Sequence, residues 1–188
     1  MAQRAETQRS LADDDAAAAA LEDYRRKVAG VNASRGKMGD ILEGKLVKLV
    51  GNELKAFSTR DLSHVRVFGV YQSSRAAESN HKFTPQLVSA YKRLKERYRD
   101  QFEIIFVSKD QDEFNMQNYM RAEKMPWPAV QFGQQIEQVN DLLANGAPWL
   151  VAVNSAAQPM TQNGLDKKFI PPDTILGAIE ELLEKGMR

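Results

Sequence analysis

The stretch "QSSRAAESNHKFTP", residues 72–85, lies between two segments of different periodicity and decides how this chain is interpreted. The run before it, "VRVFGVY" at 65–71, is apolar and rich in β-branched and aromatic residues, which is typical of a buried strand. The run after it, "LVSAYKRLKERY" at 87–98, places apolar residues at helical spacing. A strand, a short turn and an exposed helix start are where α/β folds carry their chemistry. We therefore expect the functional site at this turn.

Strand patterns recur along the rest of the chain. "KLVKLVGNELKAFS" at 45–58 predicts a hairpin that turns at Gly51 and Asn52. "FEIIFVS" at 102–108 predicts a second buried strand. Three further segments are predicted as a short edge strand, a strand entered through a proline, and a turn into a last strand: "PAVQF" at 128–132, "PWLVAVN" at 148–154 and "QPMTQNG" at 158–164.

Helical patterns alternate with these strands. Helices are predicted within "DQDEFNMQNYMRAEK" at 110–124, over "QQIEQVNDLLANG" at 134–146 with an end at Gly146, and over "PPDTILGAIEELLEKG" at 171–186. Strands that alternate with helices favour an α/β sheet covered on both faces.

The first 40 residues differ from the remainder. We predict that residues 1–40 form a helical and linker extension and that residues 41–188 form the compact domain. "LADDDAAAAALEDYRRKVAGV" at 11–31 combines acidic residues at its start with strong helix formers, and "NASRGKMGD" at 32–40 resembles a linker. The helix either packs loosely on the domain or binds a partner or a second copy through residues 13–29.

Composition excludes several classes of function. The chain has no cysteine, which removes disulfides, thiol catalysis and thiolate metal sites. It has two histidines, so a histidine-rich metal site is excluded too, and no cofactor or metal is expected. A formal net charge of +1 gives no general attraction to nucleic acid, and no apolar run reaches the ~20 residues of a membrane span. The start shows no signal peptide, and an exported protein that lost one is favoured over a cytoplasmic one. Oligomeric state stays open.

Three segments carry a resemblance to a known family. They are "FTP" at 83–85, "KMPWPAVQF" at 124–132 and "GAPWLVAVN" at 146–154. In this order they make residues 42–186 resemble the thioredoxin-like fold, in its tryparedoxin and nucleoredoxin branch. The resemblance implies a central mixed β-sheet flanked by helices. It also implies that Ala76 stands where the family has tryptophan, and that Ala77 and Asn80 stand where it has two cysteines.

The turn departs from that family at the positions that react. Thiol–disulfide exchange needs a thiolate and a second thiol that resolves the mixed disulfide. Alanine has no nucleophilic atom, an amide accepts no electrons, and no cysteine elsewhere substitutes. We therefore expect no catalytic residue among the degenerate motif positions, which are Ala76, Ala77, Glu78, Ser79 and Asn80.

Other chemistry at the turn is weighed against simple helix capping. Ser73, Ser74, Glu78, Ser79 and His81 lie close together in sequence, but a Ser–His–carboxylate site needs mutual hydrogen-bond reach and an oxyanion hole. Turn residues of these types are usually solvated caps.

A cluster of acidic residues follows the predicted strand at 102–108. Asp110, Asp112 and Glu113 are expected to form the first turn of the next helix, with a cation site as the alternative.

The binding half of the family's machinery does not need cysteine. In this fold the backbone before a cis-proline pairs with an extended peptide through main-chain groups. The resemblance thus implies a peptide site at Arg75, Trp127, Ala147 and Pro148, with a cis bond between the last two. Alternatively, Trp127 is a packing residue and Pro148 only opens a strand.

Three functions stay open at this point. The first is a redox-inactive module that binds a peptide or protein partner, with a chaperone-like role as one form of it. The second is a structural or assembly domain, and the third is an oxidoreductase relative with an unrecognised activity.

The turn can be tested by restoring the missing thiols. If it keeps the family backbone, Ala77→Cys with Asn80→Cys places two sulfurs within disulfide reach, with Cα atoms about 4.4–6.8 Å apart. We expect an intramolecular disulfide and weak disulfide-reductase activity, measured by thiol titration and insulin precipitation. Two free thiols that resist oxidation would show that the turn has lost the family geometry.

Overall fold

The computed structural model describes residues 37–76 and 80–186 of the 188-residue chain. The predicted helix at 13–29, and Ala77, Glu78 and Ser79 of the turn, lie outside the described residues. Among the described helices none is long and apolar enough to cross a bilayer.

Six strands form one mixed sheet in the order β2-β1-β5-β4-β3-β6. β3 runs parallel to β4 and β4 parallel to β5, whereas the pairs β1–β2, β1–β5 and β3–β6 are antiparallel. The strand bounds are Leu46–Val50 (β1), Glu53–Ala56 (β2), Val67–Ser73 (β3), Phe102–Ser108 (β4), Ala129–Val130 (β5) and Trp149–Asn154 (β6).

Helices cover both faces of the sheet. In chain order they are residues 37–42 (α1), Asn80–Tyr98 (α2), Glu113–Ala122 (α3), Glu137–Asn140 (α4), Gln162–Asp166 (α5) and Pro172–Lys185 (α6), with 3₁₀ turns at Thr59–Leu62 and Arg99–Gln101. The predicted fold class, an α/β protein with a mixed sheet flanked by helices, is confirmed.

Two hydrophobic cores lie on opposite sides of the sheet. On one side, α2 and α6 pack on the strands through residues such as Leu87, Leu94 and Ile179, which are buried against Ile104 and Leu150. On the other side, the core contains Met38 and Leu42 of α1, Val139 of α4 and the sheet residues Val70 and Val151. Every residue of β3 is buried, as its apolar run predicts.

Three expected elements differ from the structure. The segment at 128–132 was expected at an edge, but β5 lies inside the sheet between β1 and β4. The helix expected over 134–146 is limited to Glu137–Asn140. No strand follows β6 within the described residues; a single bridge joins Val153 to Pro159, and then α5 begins.

The segment at 158–163 covers the outer edge of β6. Met160 donates its backbone N–H to Ala152 O at 2.7 Å, and Asn163 Nδ2 donates to Leu150 O at 2.8 Å. Gly164 permits this approach, because a Cβ at its position would lie 2.6 Å from a methyl group of Val151. From Leu150 onward, the outer edge of β6 is therefore paired with the segment at 158–163. The loop that precedes Trp149 is not covered by this segment.

The domain boundary at residue 40 stays a prediction, and the packing of α1 favours placing it earlier. Met38 is fully buried, and its backbone N–H donates to Ser155 O at 2.9 Å. We expect Met38→Ala to lower the free energy of unfolding by about 2–5 kcal/mol, the usual cost of emptying such a volume. Urea denaturation measures this, with the exposed neighbour changed in Lys37→Ala as the control. Equal stability of the two variants would place Met38 outside the core.

Candidate functional site

The segments expected to carry the site meet at the end of the sheet where β3 and β4 finish and β6 begins. Ser73 at the end of β3 is paired with Ser108 at the end of β4, and Gln72 is paired with Trp149 at the start of β6. The turn after β3, the loop after β4 and the loop that enters β6 are therefore neighbours. Open α/β sheets bind ligands at this end, beyond the carboxyl ends of their parallel strands.

Asp110 holds the turn to the loop after β4. Its Oδ1 accepts the backbone N–H of Arg75 at 2.8 Å, and its Oδ2 accepts the Ser108 hydroxyl at 2.8 Å. The Lys109 backbone N–H donates to Ser73 O at 2.8 Å. Arg75 and Ala76 are exposed, and Asn80 is the first residue of α2. The backbone of Arg75 is thus held by Asp110, while Arg75 and Ala76 are open to solvent.

Of the three acidic residues expected in the first turn of the helix after β4, Asp112 and Glu113 lie there, whereas Asp110 lies before the helix and binds Arg75 and Ser108. Asp112 is the N-cap of α3, and its carboxylate accepts the Asn115 backbone N–H at 2.7 Å. Glu113 lies in the first turn, as predicted. Among residues 37–76 and 80–186, no group of three His, Asp or Glu side chains could hold a metal ion.

A cluster of four buried hydroxyl groups lies behind the turn. The Thr84 hydroxyl is 2.7 Å from the hydroxyls of both Tyr71 and Tyr119, and the Ser73 hydroxyl is 2.9 Å from that of Tyr119. Burial raises the pKa of Tyr71 and of Tyr119 above the ordinary tyrosine value, so both remain protonated and able to donate. This hydroxyl cluster ties the end of β3 to the start of α2 and to α3.

The loop that enters β6, residues 144–148, curls around one buried side chain. The Nε2 of Gln72 donates to Ala144 O at 2.9 Å and also to Gly146 O. The peptide bond between Ala147 and Pro148, expected to be cis, is cis. Both residues are half-buried and Asn145 is exposed. Within the described part of the chain, the backbone N–H and C=O groups of Asn145 and Ala147 have no hydrogen-bond partner.

The expectation that Trp127 borders the peptide site is corrected by its burial. Its indole is fully buried, with ring centroids 5.4 Å from Tyr91 and 6.3 Å from Tyr71. An indole enclosed by core aromatic rings has no surface to offer a partner. Trp127 is a packing residue of the core formed with α2 and α6.

Two clefts share Lys109 and Asp110 in their lining. The first, of about 420 Å³, is lined by Arg75 and Ala76 together with Lys109, Asp110, Gln111 and Asn115; we call it the turn cleft. The second, of about 500 Å³, lies between the ends of β4 and β5 and the β6-entry loop. We call it the carboxamide cleft, because five amide side chains line it: Gln131, Gln134, Gln135, Asn140 and Asn145.

Sequence reasoning missed Gln72 and the carboxamide cleft. Gln72 directly follows the apolar run at 65–71, and a carboxamide at the end of a buried strand indicates a specific hydrogen-bond partner. The cleft had no such signal, because its residues come from three separate segments of the chain.

The family model described as Thioredoxin-like matches residues 65–158, so the chain belongs to the thioredoxin-like family. Probable nucleoredoxin 1 of Arabidopsis thaliana is 30% identical over 128 residues, covering 67% of this chain and 22% of that protein. Human nucleoredoxin is 31% identical over 128 residues, covering 66% of this chain and 28% of that protein. The matched region thus corresponds to about a quarter of the length of these relatives.

Solved structures of other proteins share this fold. A thioredoxin from Wuchereria bancrofti is 27% identical with a TM-score of 0.56, covering 75% of this chain and 97% of that one. Tryparedoxin I from Crithidia fasciculata is 24% identical with a TM-score of 0.54, covering 66% of this chain and 85% of that one. The second likeness shows the fold alone. Against this family background, the chain lacks cysteine entirely.

The hydroxyl cluster predicts a stability effect behind the turn. Thr84→Val keeps the side-chain shape but leaves the Tyr71 and Tyr119 hydroxyls without their shared partner. We expect the free energy of unfolding to fall by about 1–3 kcal/mol, the net contribution of two hydrogen bonds. Urea denaturation tests this against Thr174→Val, a change at an exposed threonine. An effect no larger than that of the control would mean that the cluster contributes nothing to stability.

Proposed function

We propose that this chain is a redox-inactive thioredoxin-like module that binds extended peptide segments of partner proteins. Thiol–disulfide exchange requires a thiolate nucleophile, and the chain has no cysteine at the turn or elsewhere. The residues at the two motif positions, Ala77 and Asn80, supply neither a nucleophile nor an electron acceptor. The proposed activity is therefore recognition alone.

The observation that carries the proposal is the unpartnered backbone of the β6-entry loop. Asn145 and Ala147 leave their N–H and C=O groups without partners among the described residues, next to the exposed Arg75 and Ala76. The rest of the β6 edge is covered by the segment at 158–163. Unpaired main-chain groups beside a sheet are a template for the backbone of another chain.

Gln72 favours binding by fixing that loop in advance. Its carboxamide is fully buried and holds two carbonyl groups of the loop from behind. A loop that is ordered before binding loses less conformational entropy when a partner arrives.

The opposite edge of the sheet is less suited to strand addition. β2 is only four residues long, and its side chains include the exposed charged residues Glu53 and Lys55. Short charged edge strands discourage pairing with another chain. Recognition at the β6-entry loop is directed mainly at peptide backbone, which suits a chaperone-like range of partners.

A backbone-ester series tests the pairing directly. The probe is a heptapeptide selected from a random phage library against the wild-type chain, and each amide is then replaced singly by an ester. We expect one or two replacements to weaken binding about fivefold each, since each removes a main-chain hydrogen bond worth about 1 kcal/mol. Equal affinity across the series would rule out main-chain pairing, and failure to select any peptide would overturn the proposed function.

The Gln72→Leu variant locates the pairing on the β6-entry loop. It removes the donor to Ala144 O and Gly146 O, so the loop is released and peptide affinity should fall. The matched control is Gln86→Leu, which changes an exposed glutamine of α2. Denaturation of both variants separates loss of binding from loss of folding.

A further inference from the structure

The carboxamide cleft borders the β6-entry loop, and its side chains take no part in the main-chain pairing described above. Its walls are the end of β4, the loop after β5 and the β6-entry loop, and its volume is about 500 Å³. That volume lies within the range of small-ligand pockets. Asn145 belongs both to this cleft and to the β6-entry loop.

The charges of the cleft balance. Lys109 and Asp110 line it with one charge of each sign. Both carboxylate oxygens of Asp110 already accept hydrogen bonds from Arg75 and Ser108. The cleft therefore offers no excess of charge to select an acidic or a basic ligand.

Its amide groups are largely free to bind. Asn140 Nδ2 donates to Gln135 Oε1 at 2.9 Å. The side chains of Gln131, Gln134 and Asn145 make no hydrogen bond within the described residues. Each of these three carboxamides presents two donors and an acceptor, which is the complement of another carboxamide.

An apolar floor completes the cleft. Val130 is buried, and Val107, Phe132 and Leu143 are half-buried along its lining. Apolar side chains below and amides around the mouth suit a ligand group with a short aliphatic stem and a polar, uncharged head. Glutamine and asparagine side chains have this composition.

We infer that the carboxamide cleft is a subsite that selects peptides with a glutamine or asparagine side chain beside the backbone paired at Ala147. This inference rests on the proposed function and names its preferred partner. Ala147 lies two positions after Asn145, so the two places lie at most about 7 Å apart along the chain. A peptide paired at the loop reaches the cleft with the side chain of an adjacent residue.

Affinity for a matched set of peptides tests the subsite. The probes are acetyl-Ala-Val-X-Val-Ala amides with glutamine, leucine, glutamate or lysine at X. We expect the glutamine peptide to bind about 25-fold more tightly than the leucine peptide, as two additional hydrogen bonds of about 1 kcal/mol each would give. The combined change Gln131→Ala with Gln134→Ala should remove this difference, and Gln138→Ala, an exposed glutamine of α4 outside the cleft, should keep it.

The failures of the two proposals are distinguishable. If all four peptides bind equally, or if a charged X is preferred, the subsite is rejected and the binding module stands. If no peptide of the set binds, titration with N-acetylglutamine methylamide decides the subsite alone, followed by NMR. Shifts of the side-chain amide signals of Gln131, Gln134 and Asn145 would support it, and unchanged signals would overturn it.

Discussion

The hydrogen bonds from the Gln72 carboxamide to Ala144 O and Gly146 O are the constraint on which the candidate site depends. Gln72 lies on a strand with neighbours on both sides, so its side chain is fixed by the sheet itself. Its Oε1 is buried without a partner, which costs free energy that a leucine would not. The two hydrogen bonds that Gln72 Nε2 donates to the β6-entry loop offset the cost of burying its Oε1 and explain a glutamine at this position.

Further hydrogen bonds also hold the elements around the candidate site in place. Asp110 fixes the described start of the turn, and the hydroxyl cluster fixes the sheet and helices beneath it. Trp149 adds a bond from its Nε1 to Leu142 O at 3.2 Å, on the approach to the β6-entry loop. Together they hold a rigid sheet edge around unpaired backbone groups. In this arrangement the proposed pairing uses main-chain groups and needs no thiol at the turn.

Much of the fold follows from local patterns in the sequence. The hairpin at Gly51 and Asn52 and the buried runs of β3 and β4 are fixed by turn chemistry and apolar periodicity, and they form where predicted. The position of β5 was not predictable, because a two-residue strand has no pattern that tells an edge from an interior. β5 lies inside the sheet because β1, about 80 residues earlier in the chain, pairs with its free side.

The candidate site was predictable in place but not in detail. Its location follows from the strand, turn and helix order, and Ala147 and Pro148 lie at the expected edge. Trp127 was misplaced because a tryptophan between two prolines has the same sequence whether it lines a rim or fills a core. The Gln72 side chain contacts residues 72 and 74 positions further along the chain, and the carboxamide cleft is lined by three separate segments; no local pattern encodes either.

Amide hydrogen exchange in the presence of a bound peptide tests the central claim most directly. The backbone N–H groups of Asn145 and Ala147 have no partner among the described residues of the free chain and should exchange quickly. If a peptide pairs with the β6-entry loop, exchange at one or both should slow markedly, while exchange along β2 stays unchanged. Protection that appears along β2, or nowhere in the loop, would contradict the account.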